Sequence, residues 1–165
     1  MNKVWKSIIL LIAVFSALTL CACGTKGSKV KDYAGCYITT YTTSTGMTTY
    51  QEAMVIDKQG NVRYGMTTSE FTQTAFEGTL NIENDKGVFY CSDSYGYKKE
   101  WINEFPLTLT LLNDGDGLNA IFTGDLGSRN FTKVSEDEMN AFCEENYIFL
   151  DIEELKKPID QRTLP

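Results

Sequence analysis

The eight residues 76–83 read FEGTLNIE, and in this stretch apolar or small residues alternate with polar ones. Alternation with a period of two is typical of a β-strand that buries one face and exposes the other. Residues 62–66, VRYGM, and residues 107–111, LTLTL, repeat the same pattern. Thr, Tyr, Phe and Val, which suit a pleated and half-buried surface, are frequent between them. The pattern predicts an all-β domain made mainly of antiparallel strands.

Short polar segments that contain glycine separate these runs, and they include DKQGN at 57–61, NDKG at 84–87 and NDGDG at 113–117. Connections of this kind join antiparallel neighbours as hairpins. Eight or nine strands at near-regular spacing predict a barrel or a sandwich, and closure into a barrel would leave no exposed edge. The expected strands cover approximately residues 35–43, 48–57, 62–68, 73–83, 87–93, 97–103, 106–112, 118–124 and 129–134.

One helix is predicted after the last strand. Ser135 and Glu138 have the spacing of a capping box, in which the hydroxyl and the carboxylate each accept a backbone N–H of the first turn. The apolar residues that follow share one helical face and are expected to pack on the sheet: Met139, Phe142, Cys143 and Tyr147. Residues 150–165 are expected to form a loosely attached tail.

The first 22 residues differ from the rest of the chain. Lys3 and Lys6 are their only charges, and residues 8–20 read IILLIAVFSALTL. A basic start, a short apolar run and small residues before a cut site are the signature of a secretion signal. An uncleaved membrane anchor is the alternative, but a spanning helix needs about 20 apolar residues.

The four residues 20–23, LCAC, resemble the lipobox of bacterial lipoproteins. The resemblance implies cleavage before Cys23 and acylation of that cysteine. Cys21 is a poorer candidate because Leu20 would then occupy the position of the small residue. The expected location is the extracytoplasmic face of a bacterial membrane, with the membrane as partner through the N-terminal lipid. An ordinary secreted protein with a chance cysteine is the alternative.

Cleavage would leave 143 residues, enough for one domain with its own core. We expect a lipidated cysteine and tether at 23–32, a β-barrel domain with its helix at 33–149, and the tail at 150–165. Without Lys3 and Lys6 the chain has 13 basic and 22 acidic residues, a formal charge of −9. An acidic domain argues against nucleic acid as a partner.

The first strand opens with Gly35-Cys36-Tyr37, and the last strand, RNFTKV at 129–134, leads into the capped helix. These two ends of the predicted sheet resemble lipocalin-like domains. In that family the opening step is usually Gly-x-Trp, with a basic side chain from the last strand over the ring. Here Tyr37 replaces Trp, and Arg129 or Lys133 would be the partner. The resemblance implies an up-and-down barrel of eight or nine strands with a C-terminal helix.

If the resemblance holds, alternation predicts the side chains that point into the barrel: Tyr37, Tyr64, Met66, Phe76, Leu80, Tyr90, Leu109 and Phe122. Five of them are the candidate ligand-binding residues: Tyr37, Tyr64, Phe76, Tyr90 and Phe122. A barrel of eight strands is just wide enough to be filled by its own side chains or to hold one small ligand. The expected function is a binding module for a small apolar or amphipathic molecule. The alternative is a filled barrel that acts as an inhibitor or as a protein- or cell-wall-interaction module.

The chain contains no histidine. This excludes Ser-His and Cys-His nucleophile pairs and the usual imidazole metal sites, so we expect no enzyme, no cofactor and no metal site. Three cysteines remain after lipidation, namely Cys36, Cys91 and Cys143. An exported setting permits a disulfide, and Cys36–Cys143 is the candidate pair because the helix could cover the outer face of the first strand. Three buried free thiols are the alternative.

Overall fold

The structure is a computed structural model that describes residues 28–69, 73–96, 108–123 and 127–163. Residues 1–27, which include the predicted signal and Cys23, lie outside the described residues, as does the predicted strand at 97–103. Eight strands form one closed barrel: β1 (Gly35–Thr42), β2 (Thr49–Ile56), β3 (Asn61–Thr68), β4 (Gln73–Glu83), β5 (Lys86–Tyr95), β6 (Thr108–Asn113), β7 (Gly117–Phe122) and β8 (Ser128–Val134).

Each strand pairs with its neighbour in the sequence, and β8 pairs with β1, always antiparallel. This is the up-and-down order of a lipocalin-like barrel, as predicted. Tyr37, Met54, Tyr64 and Phe76 lie opposite one another on successive strands, so their side chains share the inner face. We call the end where β1 begins the lower end and the end where β1 finishes the upper end.

A short 3-10 helix, Val30–Tyr33, covers the lower end of the barrel. Tyr33 is buried, its carbonyl accepts the hydroxyl of Tyr37 at 2.7 Å, and its own hydroxyl accepts the backbone N–H of Gly87 at 2.9 Å. A Cβ at Gly87 would lie 2.9 Å from the Tyr33 ring, so the close approach requires glycine. The predicted tether at 23–32 extends too far, because Val30 begins this helix and packs against buried side chains of the barrel.

The helix α1 (Glu136–Asn146) follows β8 and begins with the predicted capping box. Ser135 Oγ accepts the Glu138 N–H at 3.2 Å, and Glu138 Oε2 accepts the Ser135 N–H at 2.9 Å. Met139 and Cys143 pack on the outer face of β1 and β2, where Ala53 is buried. Tyr147 was expected on this face, but it is the left-handed C-cap and is half exposed.

Residues after α1 are packed, so the prediction of a loosely attached tail is wrong for the described part up to Thr163. The helix α2 (Ile152–Lys156) buries Ile152 and Leu155 with Phe149 against Ala75 of β4. The guanidinium of Arg162 donates to the Leu155 carbonyl at 2.9 Å. A five-residue helix is too short to give a periodic signal, which is why the sequence did not reveal it. In the described parts of the chain, no helix is long and apolar enough to span a membrane.

Candidate ligand site at the upper end of the barrel

Most of the barrel interior is filled by its own apolar side chains. We call the buried set Tyr33, Tyr37, Tyr64, Phe76 and Phe89 the barrel core; none of them is more than 2% exposed. The Tyr64 and Phe76 rings stack with centroids 5.4 Å apart, and Phe131 meets the Tyr64 ring edge-on at 6.2 Å. Three candidate ligand residues, Tyr37, Tyr64 and Phe76, therefore point inward as predicted but pack against one another.

Tyr90 does not point into the barrel, and its prediction as an inward ligand residue is wrong. Its side chain is 39% exposed, and its hydroxyl donates to Glu83 Oε1 at 2.6 Å on the outer surface. The neighbouring Phe89 fills the inner position instead. Residues 88–91 read VFYC, an apolar run without alternation. The sequence pattern therefore did not decide whether Phe89 or Tyr90 points into the barrel. Met66, Leu80, Leu109 and Phe122 face the barrel core as predicted.

The upper part of the interior is polar, and its centre is a buried ion pair. Glu52 of β2 is 1% exposed and lies on the inner face, opposite Met66 of β3. The Tyr64 hydroxyl donates to Glu52 Oε2 at 3.0 Å, and Arg129 Nε of β8 lies 3.4 Å from Glu52 Oε1. Both carboxylate oxygens are thus engaged, and the barrel core is linked to the ion pair through Tyr64.

Burial changes the proton affinity of this pair. Loss of water raises the pKa of the Glu52 carboxyl above its ordinary range, while the Tyr64 hydroxyl and the Arg129 guanidinium act in the opposite direction. The pKa of Tyr64 is raised well above its ordinary value, first by its complete burial and then by the negative charge of Glu52. Tyr64 is therefore a hydrogen-bond donor to Glu52 at any physiological pH.

Aromatic rings surround the guanidinium of Arg129. Its central carbon lies 3.6 Å from the centre of the Tyr41 ring and 5.0 Å from that of Phe122. Tyr50 extends this wall, with its ring centre 6.3 Å from that of Tyr41. Stacking and the ion pair together fix the orientation of the guanidinium. Phe122 is the one candidate ligand residue that the structure places in this wall.

Ser94, like Thr67, carries a buried hydroxyl that has no hydrogen-bond partner among the described residues. It lies opposite Phe76 near the upper end of β5, so its side chain faces the interior. The residue is 5% exposed, and its hydroxyl has no hydrogen-bond partner among the described residues. An unsatisfied buried hydroxyl costs about 1–3 kcal/mol, and such groups require an explanation. We call the five residues Tyr41, Glu52, Ser94, Phe122 and Arg129 the upper site.

The basic partner of Tyr37, which the sequence left open between Arg129 and Lys133, is Lys133. Its ammonium lies 5.6 Å from the centre of the Tyr37 ring. A Cβ at Gly35 would lie 2.7 Å from the flexible end of the Lys133 side chain. Arg129 belongs to the upper site instead. A weak signal for that site is present in the sequence, because the acidic Glu52 stands two positions before Met54 and therefore shares its inward face.

The candidate disulfide is absent, since Cys36 and Cys143 are free thiols in the structure, as is Cys91. Cys36 and Cys143 do lie in one apolar cluster between α1 and the barrel wall. Burial raises the pKa of Cys143 to about 11, and the nearby Cys36 thiol adds to the effect. Thiols of this kind are poor nucleophiles at neutral pH. Their pairing under oxidising conditions stays a prediction.

Open clefts on the outer surface are lined by described residues. One, of about 540 Å³, lies over β2–β5 and is lined by polar and charged side chains that include Asn61, Arg63, Glu77 and Ser92. Another, of about 360 Å³, lies between Arg63 and the C-terminal segment and includes Leu150 and Glu154. In the described part of the chain no group of three or more His, Cys, Asp or Glu side chains is placed to hold a metal ion.

No protein-family model matches the chain, and no curated protein matches it either. Among solved structures, the chain is similar to one described as "NMR structure of the protein from Bacteroides thetaiotaomicron VPI-5482". The two are 16% identical with a TM-score of 0.41, and the match covers 68% of this chain and 99% of that one. A likeness at this level carries no functional information.

Proposed function

We propose that this chain is a non-enzymatic, lipid-anchored extracytoplasmic protein that binds one small amphipathic ligand at the upper site. The observation that carries the proposal is the inner face of the barrel towards its upper end, which combines aromatic rings, a buried ion pair and the Ser94 hydroxyl, a group without a hydrogen-bond partner among the described residues. Ligand pockets combine apolar walls with a few polar groups that fix orientation. The ligand is small because the barrel core fills the space below.

Support for the anchor comes from the lipobox-like residues 20–23 and from the short stretch of sequence between them and the barrel. The first described residues lie at the lower end, and only a few residues separate them from Cys23. The five residues 24–28 that follow Cys23 can span at most about 18 Å, at roughly 3.3–3.6 Å per residue. In this proposal the lower end faces the membrane and the upper site opens away from it. An N-terminal peptide of the native protein should carry acyl chains on Cys23, and an unmodified N-terminus elsewhere would contradict the anchor.

Ligand binding is tested on the full mature protein purified from the membranes of its own host. Small molecules are extracted with organic solvent and identified by mass spectrometry, in the native protein and in two variants. Phe122→Ala removes part of the aromatic wall, whereas Tyr90→Ala removes a ring of similar size from the outer surface. We expect a compound that is retained by the native protein and by Tyr90→Ala but lost from folded Phe122→Ala. Identical extracts from the native protein and the two variants would contradict binding at the upper site.

The filled barrel core favours a second function, in which the outer surface engages another protein or the cell wall. The open cleft of about 540 Å³ over β2–β5 would be the place of contact. In that case no small molecule should depend on Phe122. Substitution of Arg63, whose guanidinium lies 3.4 Å from Glu77 on this surface, should instead abolish chemical cross-links to the partner in host membranes.

A further inference from the structure

We propose that the upper half of the seam between β1 and β8 is a lateral gate through which a ligand reaches the upper site, and that the side chain of Arg129 is its latch. The use of this gate by a ligand rests on the proposed function. The observation that carries the inference is a seam that is joined by backbone pairing in its lower half and bridged by the Arg129 side chain in its upper half.

The backbone pairing of this seam stops halfway up the barrel. The strands β1 and β8 pair with each other over residues 36–38 and 132–134. In contrast, β1 pairs with β2 over its whole length, and β8 pairs with β7 as far as its first residue, Ser128. All of these residues lie in the described part of the chain. Residues 39–42 and 128–131 therefore run along the seam without pairing across it.

The outer side chains of the upper seam leave it open to solvent. Thr40, Thr42 and Asn130 are exposed. The hydrogen bonds of two of them lead away from the seam: Thr42 Oγ1 lies 3.1 Å from Thr49 Oγ1 of β2, and Asn119 Nδ2 of β7 donates to Asn130 Oδ1 at 2.6 Å. Water therefore has access to the main-chain groups that strand pairing leaves unsatisfied here.

Arg129 bridges the upper seam from the inside. Its guanidinium carbon lies 3.6 Å from the centre of the Tyr41 ring on β1, and its Nε lies 3.4 Å from Glu52 Oε1 on β2. The planar guanidinium offers its face to the ring and its edge to the carboxylate. Release of these side-chain contacts breaks no backbone pairing, so the upper seam opens as a local event while the rest of the barrel stays closed.

The lower half of the seam shows what the upper half lacks. A second cation of β8 lies over a second ring of β1 there, with the Lys133 ammonium 5.6 Å from the centre of the Tyr37 ring. In that half, however, the strands are paired, and Cys36 and Val134 pack in the apolar cluster beneath α1. The route through this seam to the upper site is therefore the upper half, where the aromatic wall and the ion pair line the inner side.

The latch is tested by the distance across the upper seam. Spin labels are attached to Thr40→Cys and Asn130→Cys in full mature protein whose three free thiols are replaced by alanine. The distance between the labels is measured by electron paramagnetic resonance. We expect it to lengthen by about 5 Å, the spacing of one strand, in Arg129→Met. Lys133→Met is the matched control, because it removes the cation of the paired half, and it should leave the distance unchanged.

A second variant keeps this test decisive if Arg129→Met does not fold. Glu52→Leu with Arg129→Met removes the latch without leaving a buried carboxylate unpaired, and it should lengthen the distance as well. A distance that stays at the native value in the folded single or double variant overturns the latch.

Passage through the gate is tested by closing it. Thr40→Cys and Asn130→Cys are oxidised to a disulfide across the seam, whereas Thr42→Cys and Thr49→Cys form a control link between strands that are already paired. The probe is prodan, a small neutral amphipathic dye, and its entry is followed by stopped-flow fluorescence. We expect the seam link to slow entry at least tenfold, reduction to restore it, and the control link to leave it unchanged. Equal entry rates with and without the seam link overturn the gate.

The two proposals fail in different ways. If a host compound depends on Phe122 but the seam link does not slow the dye, the proposed function holds and the gate is overturned. If the label distance responds to Arg129→Met but neither a host compound nor the dye binds, the latch holds and the proposed function fails, together with the use of the gate by a ligand.

Discussion

The barrel core and the upper site are parts of one barrel interior, yet they are built on opposite principles. The barrel core consists of aromatic rings packed together, with the ring centres of Tyr64 and Phe76 5.4 Å apart. The upper site buries a carboxylate, a guanidinium and a hydroxyl, all of which are costly to remove from water. Replacing a buried ion pair by apolar side chains of similar volume is often neutral or stabilising, so burial of this pair is not explained by stability. The difference is what we expect if, as proposed above, the upper site serves recognition and the core serves stability.

The largest expected effect comes from the same substitution made in the two regions. Phe76→Ala should lower the free energy of unfolding by about 4 kcal/mol, because it leaves a cavity under Tyr64 that cannot collapse. Phe122→Ala, at the end of β7 and 7% exposed, should cost only about half as much. Urea denaturation followed by far-UV circular dichroism measures the free energy of unfolding of both variants. Equal losses would mean that the interior is packed uniformly, and the comparison would fail.

The second largest expected effect is the loss of stability on removal of one partner of the ion pair. Arg129→Met leaves Glu52 buried without its counter-charge, and we expect a loss of about 3 kcal/mol in the free energy of unfolding. The double variant Glu52→Leu with Arg129→Met removes both charges and should lie within about 1 kcal/mol of the native protein. A double variant as unstable as the single one would show that the pair is needed for folding rather than for recognition.

The smallest expected effect is a dependence on pH. Because the pKa of Glu52 is raised in the folded protein, the folded state binds more protons than the unfolded state above the ordinary pKa of 4.5. The contribution of this group is therefore complete below pH 4.5 and is lost as pH rises through the raised pKa. The slope is at most about 1.4 kcal/mol per pH unit.

The matched control for this pH effect is Glu52→Gln, which retains the shape of the side chain but does not titrate. The difference in free energy of unfolding between the native protein and this variant should fall as pH rises from about 4.5, the ordinary pKa of the carboxyl. Thermal unfolding at several pH values measures it. A difference that rises with pH would mean that Arg129 and Tyr64 outweigh the effect of burial on the carboxyl.

Much of the fold was accessible from local patterns, whereas the upper site was not. Residues 76–83 predicted β4, and the polar segments at 57–61 and 84–87 predicted the hairpins that the structure contains. Phe122 is the one candidate ligand residue from the sequence that lies in the upper site. Glu52 and Ser94 were missed because a single polar residue at an inward position looks like an ordinary strand residue until its neighbours are known.

The sequence by itself determined the features that depend on residues close together in the chain. Alternation set the strands, glycine-containing segments set the turns, and Ser135 with Glu138 set the start of α1. Only the tertiary structure decided that Phe89 rather than Tyr90 points inward, and that Glu52 meets Arg129. These outcomes depend on register and on closure of β8 against β1, which bring together residues far apart in the sequence. Local patterns specify which elements form, but the space inside a barrel is shared by all eight strands and exists only once they have closed.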